Sequence, residues 1–130
     1  PPRAILFETA LHGELLNLDE EDNKRHYAGG MSANRINAGL GTIISQLLEI
    51  CGREKIAGLY TTGGDTMVNV CYQLGVECIE VMDYVIPQTD IGRLVGSYDG
   101  LPIVGKGGLT GNDNTACDIV ERLFRESARK

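Results

Sequence analysis

No tryptophan occurs in this chain and aromatic residues make up only 5% of it, so the core must be assembled from Ile, Leu, Val and Ala rather than large rings. A basic excess is also missing: 12 Lys and Arg face 18 Asp and Glu, for a net charge of −6. With no basic face to neutralise phosphates, a nucleic-acid surface and an anionic membrane are not expected as partners. A nucleotide pocket stays open, because local amides and one or two cations suffice there. No run reaches the ~18 consecutive apolar residues of a membrane span, nor is a signal-peptide pattern read. Four cysteines, Cys51, Cys71, Cys78 and Cys117, lack CxxC spacing. That argues against zinc and leaves buried free thiols in a reducing cytoplasm as the expectation. His12 and His26 stand alone at the ends of a charged stretch and are expected on the surface rather than as ligands.

What the chain has in excess is glycine, 17 of 130 residues, about twice the ordinary ~7% usage. The glycines cluster between periodic segments, as turns do. The length fits one domain over 1–130, large enough to bury roughly two-thirds of its unfolded surface. An opening Pro1-Pro2 in place of Met suggests a fragment or a processed product.

Ala4-Ile5-Leu6-Phe7-Glu8-Thr9-Ala10 reads as a short buried strand. Residues 12–30, centred on Asp19-Glu20-Glu21-Asp22, read as a mobile, solvated acidic loop. Ser32 is a candidate N-cap for the longest helix, Ala33 to Ile50. Its positions Ile36, Leu40, Ile43, Ile44, Leu47 and Leu48 line one face, and Gly52 stops it. Gly39 and Gly41 each weaken that helix by about 1 kcal/mol relative to Ala, which suggests close packing on a strand. Val76 to Ile86 reads as a strand ended by Pro87. Arg93 to Tyr98, the Asp99-Gly100 turn of type I′ and Leu101 to Val104 read as a β-hairpin, with Pro102 at an edge or at the first strand position. A last helix runs from Thr115 to Ser127, capped from Asn112, Asp113 or Asn114, with Ala116, Ile119, Val120, Leu123 and Phe124 inward. These elements imply an α/β fold: a mixed sheet of parallel strands plus a β-hairpin, flanked by helices.

Two glycine clusters carry the chemistry. Ile56 to Thr61 is apolar and partly β-branched; Thr62-Gly63-Gly64-Asp65-Thr66 follows, then Met67 to Leu74 at helical spacing, closed by Gly75. A strand, a glycine turn and a helix present backbone N–H groups and a helix N-terminus to an anion. Glycines let a phosphate approach the backbone closely. Asp65 is a candidate ligand for a metal carried by the phosphates, or an ordinary N-cap of a plain tight turn. The second cluster, Gly105-Lys106-Gly107-Gly108-Leu109-Thr110-Gly111, delivers a lysine into a loop poor in side chains. It suits a phosphate or an adenine edge, and equally a plain connection. Gly100 to Lys106 has Walker-A spacing but fails as one, since Gly107 stands where Ser or Thr must reach Mg²⁺. The GxGxxG fingerprint fails at Thr110, which disfavours a Rossmann oxidoreductase. Together the clusters supply amide donors, a cation and a carboxylate, the parts a nucleotide phosphate and its Mg²⁺ require.

Gly58-Leu59-Tyr60-Thr61-Thr62-Gly63-Gly64-Asp65-Thr66, Leu74-Gly75, and the Gly100-Leu-Pro-Ile-Val strand leading to Lys106-Gly107-Gly108 resemble the C-terminal, nucleotide-binding domain of the four-carbon acid sugar kinases. The resemblance spans about residues 33 to 125. It implies ATP as the phosphate donor and a threonate- or erythronate-type acceptor. It implies ATP contacts at Gly63, Gly64, Asp65 and Thr66, and a further one at Gly108; Lys106 and Gly107 flank that contact as candidates from the loop itself. Two departures stand out: Pro87-Gln88-Thr89 replaces a Pro-Gly turn, and Lys106-Gly107-Gly108-Leu109-Thr110-Gly111 lacks the Phe of the family's lysine-glycine motif. Full-length members also carry an N-terminal domain that binds the acid sugar, which these residues do not include. The expectation is the ATP half of a kinase, inactive alone, with no catalytic residue identified; the alternative is a non-catalytic nucleotide-binding or assembly module.

Overall fold

A computed structural model describes residues 3–129. In chain order the elements are α1 (Leu18–Lys24), α2 (Met31–Cys51), a short 3-10 turn (Arg53–Lys55), β1 (Leu59–Thr62), α3 (Gly64–Leu74), β2 (Val76–Ile86), β3 (Thr89–Gly96), β4 (Pro102–Lys106) and α4 (Thr115–Ala128). The four strands form one sheet in the order β1-β4-β3-β2. β1 and β4 run parallel, and the β4–β3 and β3–β2 pairs are antiparallel. The expected mixed α/β architecture is therefore present.

Strand parity splits the core into two layers. Leu94 and Ile103 point to the face covered by α3, where they meet Val70, Leu74, Leu101 and Leu48 of α2. Ile91 and Val104 point to the opposite face and pack on Ile119 and Leu123 of α4. Each fully buried side chain of this kind contributes about 1.5–3 kcal/mol. Both layers are aliphatic, as the scarcity of aromatics requires.

Several expectations change. The segment Ala4 to Ala10 joins no strand: residues 3–17 are exposed, with Ile5 and Leu6 about 70% accessible. Gly41 packs on a helix, not a strand; a Cβ there would lie 2.7 Å from Gln73 Cγ and 2.8 Å from Asn69 O of α3. Gly39 faces open space. In α4, Ala116 is exposed and Thr115 takes the inward position with Ile119 and Leu123. Cys78 and Cys117 are exposed and only Cys51 and Cys71 are half-buried, all four free. The β3–β4 connection is not a type I′ turn: positive φ falls on Tyr98 and Gly100, not Asp99, whose carboxylate instead accepts the Gly96 N–H. Pro102 is the first residue of β4, where its missing N–H costs the ladder least.

The stretch 12–30 is not all loop. Asn17 Oδ1 accepts the N–H groups of Asp19 and Glu20 and starts α1, whose first turn is acidic and so complements the helix dipole. Asp22 is buried, and its carboxylate accepts the N–H groups of Gly30 at 2.9 Å and Ser32 at 2.8 Å. Ser32 is thus inside α2 rather than its cap; Gly30 is the N-cap and a remote aspartate supplies the acceptor. Hydrogen bonds from the Ser32 side chain, then its backbone, then Gly30 hold the Asp22 carboxyl below its ordinary 3.8, against some opposing desolvation. A depressed carboxyl gives stability that is fully present above its ordinary pKa and lost as pH falls through the folded value. Acidification through and below the ordinary carboxylate range should therefore fray the α1–α2 junction. Amide exchange at Gly30 and Ser32 reads this directly; equal acid sensitivity in Asp22→Asn would assign the effect to another group.

Candidate functional site: two glycine turns at one sheet edge

β1 and β4 are neighbours in register, with Thr62 opposite Lys106, so the two glycine clusters leave the sheet side by side. A hydrogen bond from Gly63 N–H to Lys106 O, 2.9 Å, ties them together. The helix after β1 covers one face and the helix after β4 covers the other. The two turns thus lie at the carboxyl ends of parallel strands, where ligands of α/β sheets gather.

The first turn is shaped by Gly63, whose φ of 90° and ψ of 132° suit glycine alone. α3 begins at once, and Met67 N–H is bonded to Gly63 O at 3.2 Å. The preceding N–H groups of Gly64, Asp65 and Thr66 belong to the first turn, which has no intrahelical acceptors. Gly63 has no side chain to cap them, so Asp65 is not the N-cap of this helix but its second residue, exposed to solvent. The Thr66 hydroxyl donates to Asn37 Oδ1 of α2 at 2.8 Å, which fixes the start of α3 against its neighbour and leaves the backbone N–H as what Thr66 offers a ligand. Asn37 went unnoticed in the sequence; a polar residue one position after apolar Ile36 was its only signal.

The second turn is braced from β3. Gly107 N–H donates to Gln88 O at 2.9 Å, and Thr110 bonds back to Gly107 O through both its N–H and its hydroxyl. Lys106 Nζ lies 2.6 Å from Gly107 O, folded over its own loop. Thr89, opposite Lys106 in the β3–β4 register, is fully buried with no partner for its hydroxyl among the described residues. Gly105 lets α3 close on the strand, since a Cβ there would stand 2.5 Å from Met67 Sδ.

At Gly64 and Gly108 the opposite holds: a Cβ on either would meet nothing within 4 Å. Both glycines thus face open space, Gly64 at the first turn of α3 and Gly108 in the loop after β4; the two turns together supply first-turn amides, one ammonium and one carboxylate. The donor set suits the phosphates of a nucleotide. Among the described residues no three His, Cys, Asp or Glu side chains form a metal site. Asp65 alone would serve a divalent ion only as one ligand, beside phosphate oxygens and water. Two hollows in the surface lie elsewhere. One of about 230 Å³ borders Leu16, Tyr27, Arg35 and Ile36, and one of about 330 Å³ borders Val68, Tyr72, Val76 and Ile79 along α3. Neither is lined by Gly64 or Gly108.

Arg93, in the hairpin close to a glycine turn, pairs with the buried Glu126 at 2.8 Å and donates to Gly100 O at 2.8 Å, tying β3 to α4 and to the hairpin loop.

Comparison with known proteins extends this picture. Residues 3–116 match the family described as "Nucleotide-binding C-terminal domain". The chain is 44% identical over 93 residues to a D-erythronate kinase of Heliobacterium modesticaldum, covering 71% of the chain and 21% of that protein. It is 35% identical over 87 residues to a D-threonate kinase of Salmonella typhimurium, covering 66% of the chain and 20% of the kinase. The chain thus spans about a fifth of the length of these relatives. Among solved structures, a Bordetella bronchiseptica domain of unknown function, crystallised with bound citrate as a domain-swapped dimer, superposes with a TM-score of 0.66 at 27% identity, covering 75% of the chain and 24% of that protein. A second crystal form gives the same score at 28% identity.

Proposed function

The chain belongs to the family of nucleotide-binding C-terminal domains, and from that premise we propose that it is the ATP-binding portion of a kinase transferring the γ-phosphate of ATP to a hydroxyl of a four-carbon acid sugar. The observation that carries this reading is the Gly63 N–H to Lys106 O bond, which holds the two glycine turns together beside the open space over Gly64 and Gly108. The names of the two similar kinases favour erythronate or threonate as the class of acceptor.

Each side chain then has a task. The N–H groups of Gly64, Asp65 and Thr66 receive phosphate oxygens, with the α3 dipole adding to their field. Gly108 keeps its loop low enough for the nucleotide to lie across it, with Gly107 giving the turn its shape. Lys106 swings from Gly107 O to a phosphate, exchanging a neutral partner for a charged one. Bound Mg²⁺ supplies charge neutralisation on the phosphates, and Asp65 is the residue that would reach it. The acceptor sugar is held by a separate N-terminal domain, and the whole enzyme works on the cytoplasmic ATP pool.

Calorimetric titration of the chain with ATP, GTP and NAD, each with and without Mg²⁺, tests the reading. Saturable ATP binding is expected; tight NAD binding with none for ATP would replace it by a dinucleotide site. Asp65→Asn separates the roles of that residue. The exposed amide disturbs no cap, so the fold should stay intact, while the gain in ATP affinity from Mg²⁺ should disappear. An undiminished Mg²⁺ response in that variant would remove Asp65 from the metal.

A further inference from the structure

One hydroxyl beside the second glycine turn has too few partners, and one carbonyl of that turn has too many. The Thr89 side chain is fully buried, and its hydroxyl has no hydrogen-bond partner among the described residues. An unpaired buried hydroxyl is costly, and native folds seldom carry one without a use. Gly107 O, by contrast, accepts three donors: Lys106 Nζ at 2.6 Å, the Thr110 hydroxyl at 3.0 Å and the Thr110 N–H at 3.3 Å. A carbonyl oxygen has two lone pairs, so one of the three is surplus. Both Thr110 bonds shape the loop itself, which makes Lys106 the donor that can leave without opening the turn.

The same lysine stands opposite the unpaired hydroxyl. Thr89 and Lys106 are partners in the antiparallel β3–β4 register, so their side chains share one face of the sheet. The next pair along that face, Ile91 and Val104, is fully buried against α4. Thr89 and Lys106 therefore close this apolar layer at the end where the glycine turns leave the sheet. Side chains directly opposite have Cβ atoms about 4.5–5.5 Å apart, within the swing of a lysine's flexible stem. The backbone of the pair is pinned from both sides. Gln88 O accepts the Gly107 N–H at 2.9 Å, and Lys106 O accepts the Gly63 N–H at 2.9 Å.

We propose that Thr89 is a positioning residue for the phosphate-binding lysine. When Lys106 leaves Gly107 O for a nucleotide phosphate, the Thr89 hydroxyl accepts one of its N–H groups and holds the ammonium at the carboxyl end of β4. The inference rests on the nucleotide reading of the two glycine turns. An ammonium has three donors, so one goes to Thr89 while the others meet phosphate oxygens. The exchange corrects both mismatches. Gly107 O keeps two donors for two lone pairs, and Thr89 gains the partner it lacks. Lysine loses much rotamer freedom on binding an anion, and a second fixed acceptor within the protein lowers that ordering cost.

Calorimetric titration of the whole chain and of its Thr89→Val and Thr89→Ser variants with Mg-ATP tests the proposal, beside melting curves without nucleotide. Thr89→Val removes an unpaired buried hydroxyl, so the free protein should melt roughly 3–5 °C higher. Its ATP affinity should nonetheless fall about tenfold. Thr89→Ser keeps the hydroxyl and should bind ATP within about twofold of the unaltered chain. With Lys106→Met already in place, adding Thr89→Val should change the affinity by less than about twofold. ATP binding undiminished in Thr89→Val would overturn the inference and leave the nucleotide reading standing. A lower melting temperature in that variant would also overturn it, by giving the hydroxyl a structural partner. So would a loss of affinity that persists without Lys106. No ATP binding by the unaltered chain would take down the nucleotide reading, and this inference with it.

Discussion

Gly64→Val should weaken ATP binding by about tenfold or more and leave the thermal midpoint of the nucleotide-free protein nearly unchanged. Gly64 is the first residue of α3, its φ is not in the left-handed region, and a Cβ there meets nothing within 4 Å. The free protein therefore has no reason to resist a side chain, and valine is no worse a helix residue than glycine. A bound phosphate has every reason, because it reaches the first-turn amides across the space a valine would fill. Losing one hydrogen bond to a charged group costs about 1.5–3 kcal/mol, a tenfold to hundredfold change in affinity. Calorimetry with ATP and a melting curve without it measure the two halves. Unchanged affinity in the folded variant would take this turn out of the site. Gly63→Ala is the contrast, since its backbone strain of about 1–3 kcal/mol falls on the free protein as well.

That contrast shows what glycine in a sequence does and does not disclose. Gly63 and Gly64 stand adjacent in one motif, yet one is required by its backbone angles and the other faces open space under no such constraint. The helical periods of α2 and α4, the glycine stop of α3 and the apolar runs of β1 and β4 were legible because local pattern and final structure largely agree, although Ile36 and Ile43 of the apolar face of α2 stay exposed. α1 was hidden by its charge: Asp19 to Asp22 reads as solvated, although Asn17 followed by Glu20 is an N-terminal signature. Its purpose is tertiary, since Asp22 caps a helix eight to ten residues on. The β2–β3 hairpin was missed because its tight turn is Pro87-Gln88, with Gln88 and not a glycine at φ 61°. Both glycine clusters were legible singly, and their adjacency at one sheet edge was expected because one nucleotide phosphate requires the parts of both; it is realised by β1 pairing with a strand some 44 residues away.

Arg93 sets the last expectation: the chain by itself should phosphorylate no tetronate. An acid-sugar carboxylate needs a free guanidinium or a nest of amides, and Arg93 is the arginine nearest a glycine turn in the hairpin. The fold has already committed it. Its guanidinium bonds Glu126 and the Gly100 carbonyl, and among the described residues Glu126 has otherwise only Arg129 at 3.7 Å. Releasing Arg93 to a substrate would leave a carboxylate with 7% of its side chain exposed poorly compensated. Arg93→Ala should therefore cost about 2 kcal/mol of stability, below the 3–5 of a fully buried pair because Arg93 itself is partly exposed. Phosphoryl transfer rests almost wholly on holding the acceptor hydroxyl in line with the γ-phosphate. With Arg93 committed, ATP bound beside the glycine turns is expected to find no acid held for attack. An assay of the chain with ATP, Mg²⁺, erythronate and threonate should give no product, and urea titration of Arg93→Ala should show the stability loss. Turnover by the chain, together with an Arg93→Ala variant that is stable but inactive, would mean that Arg93 binds the acid and that the sugar site lies within these residues.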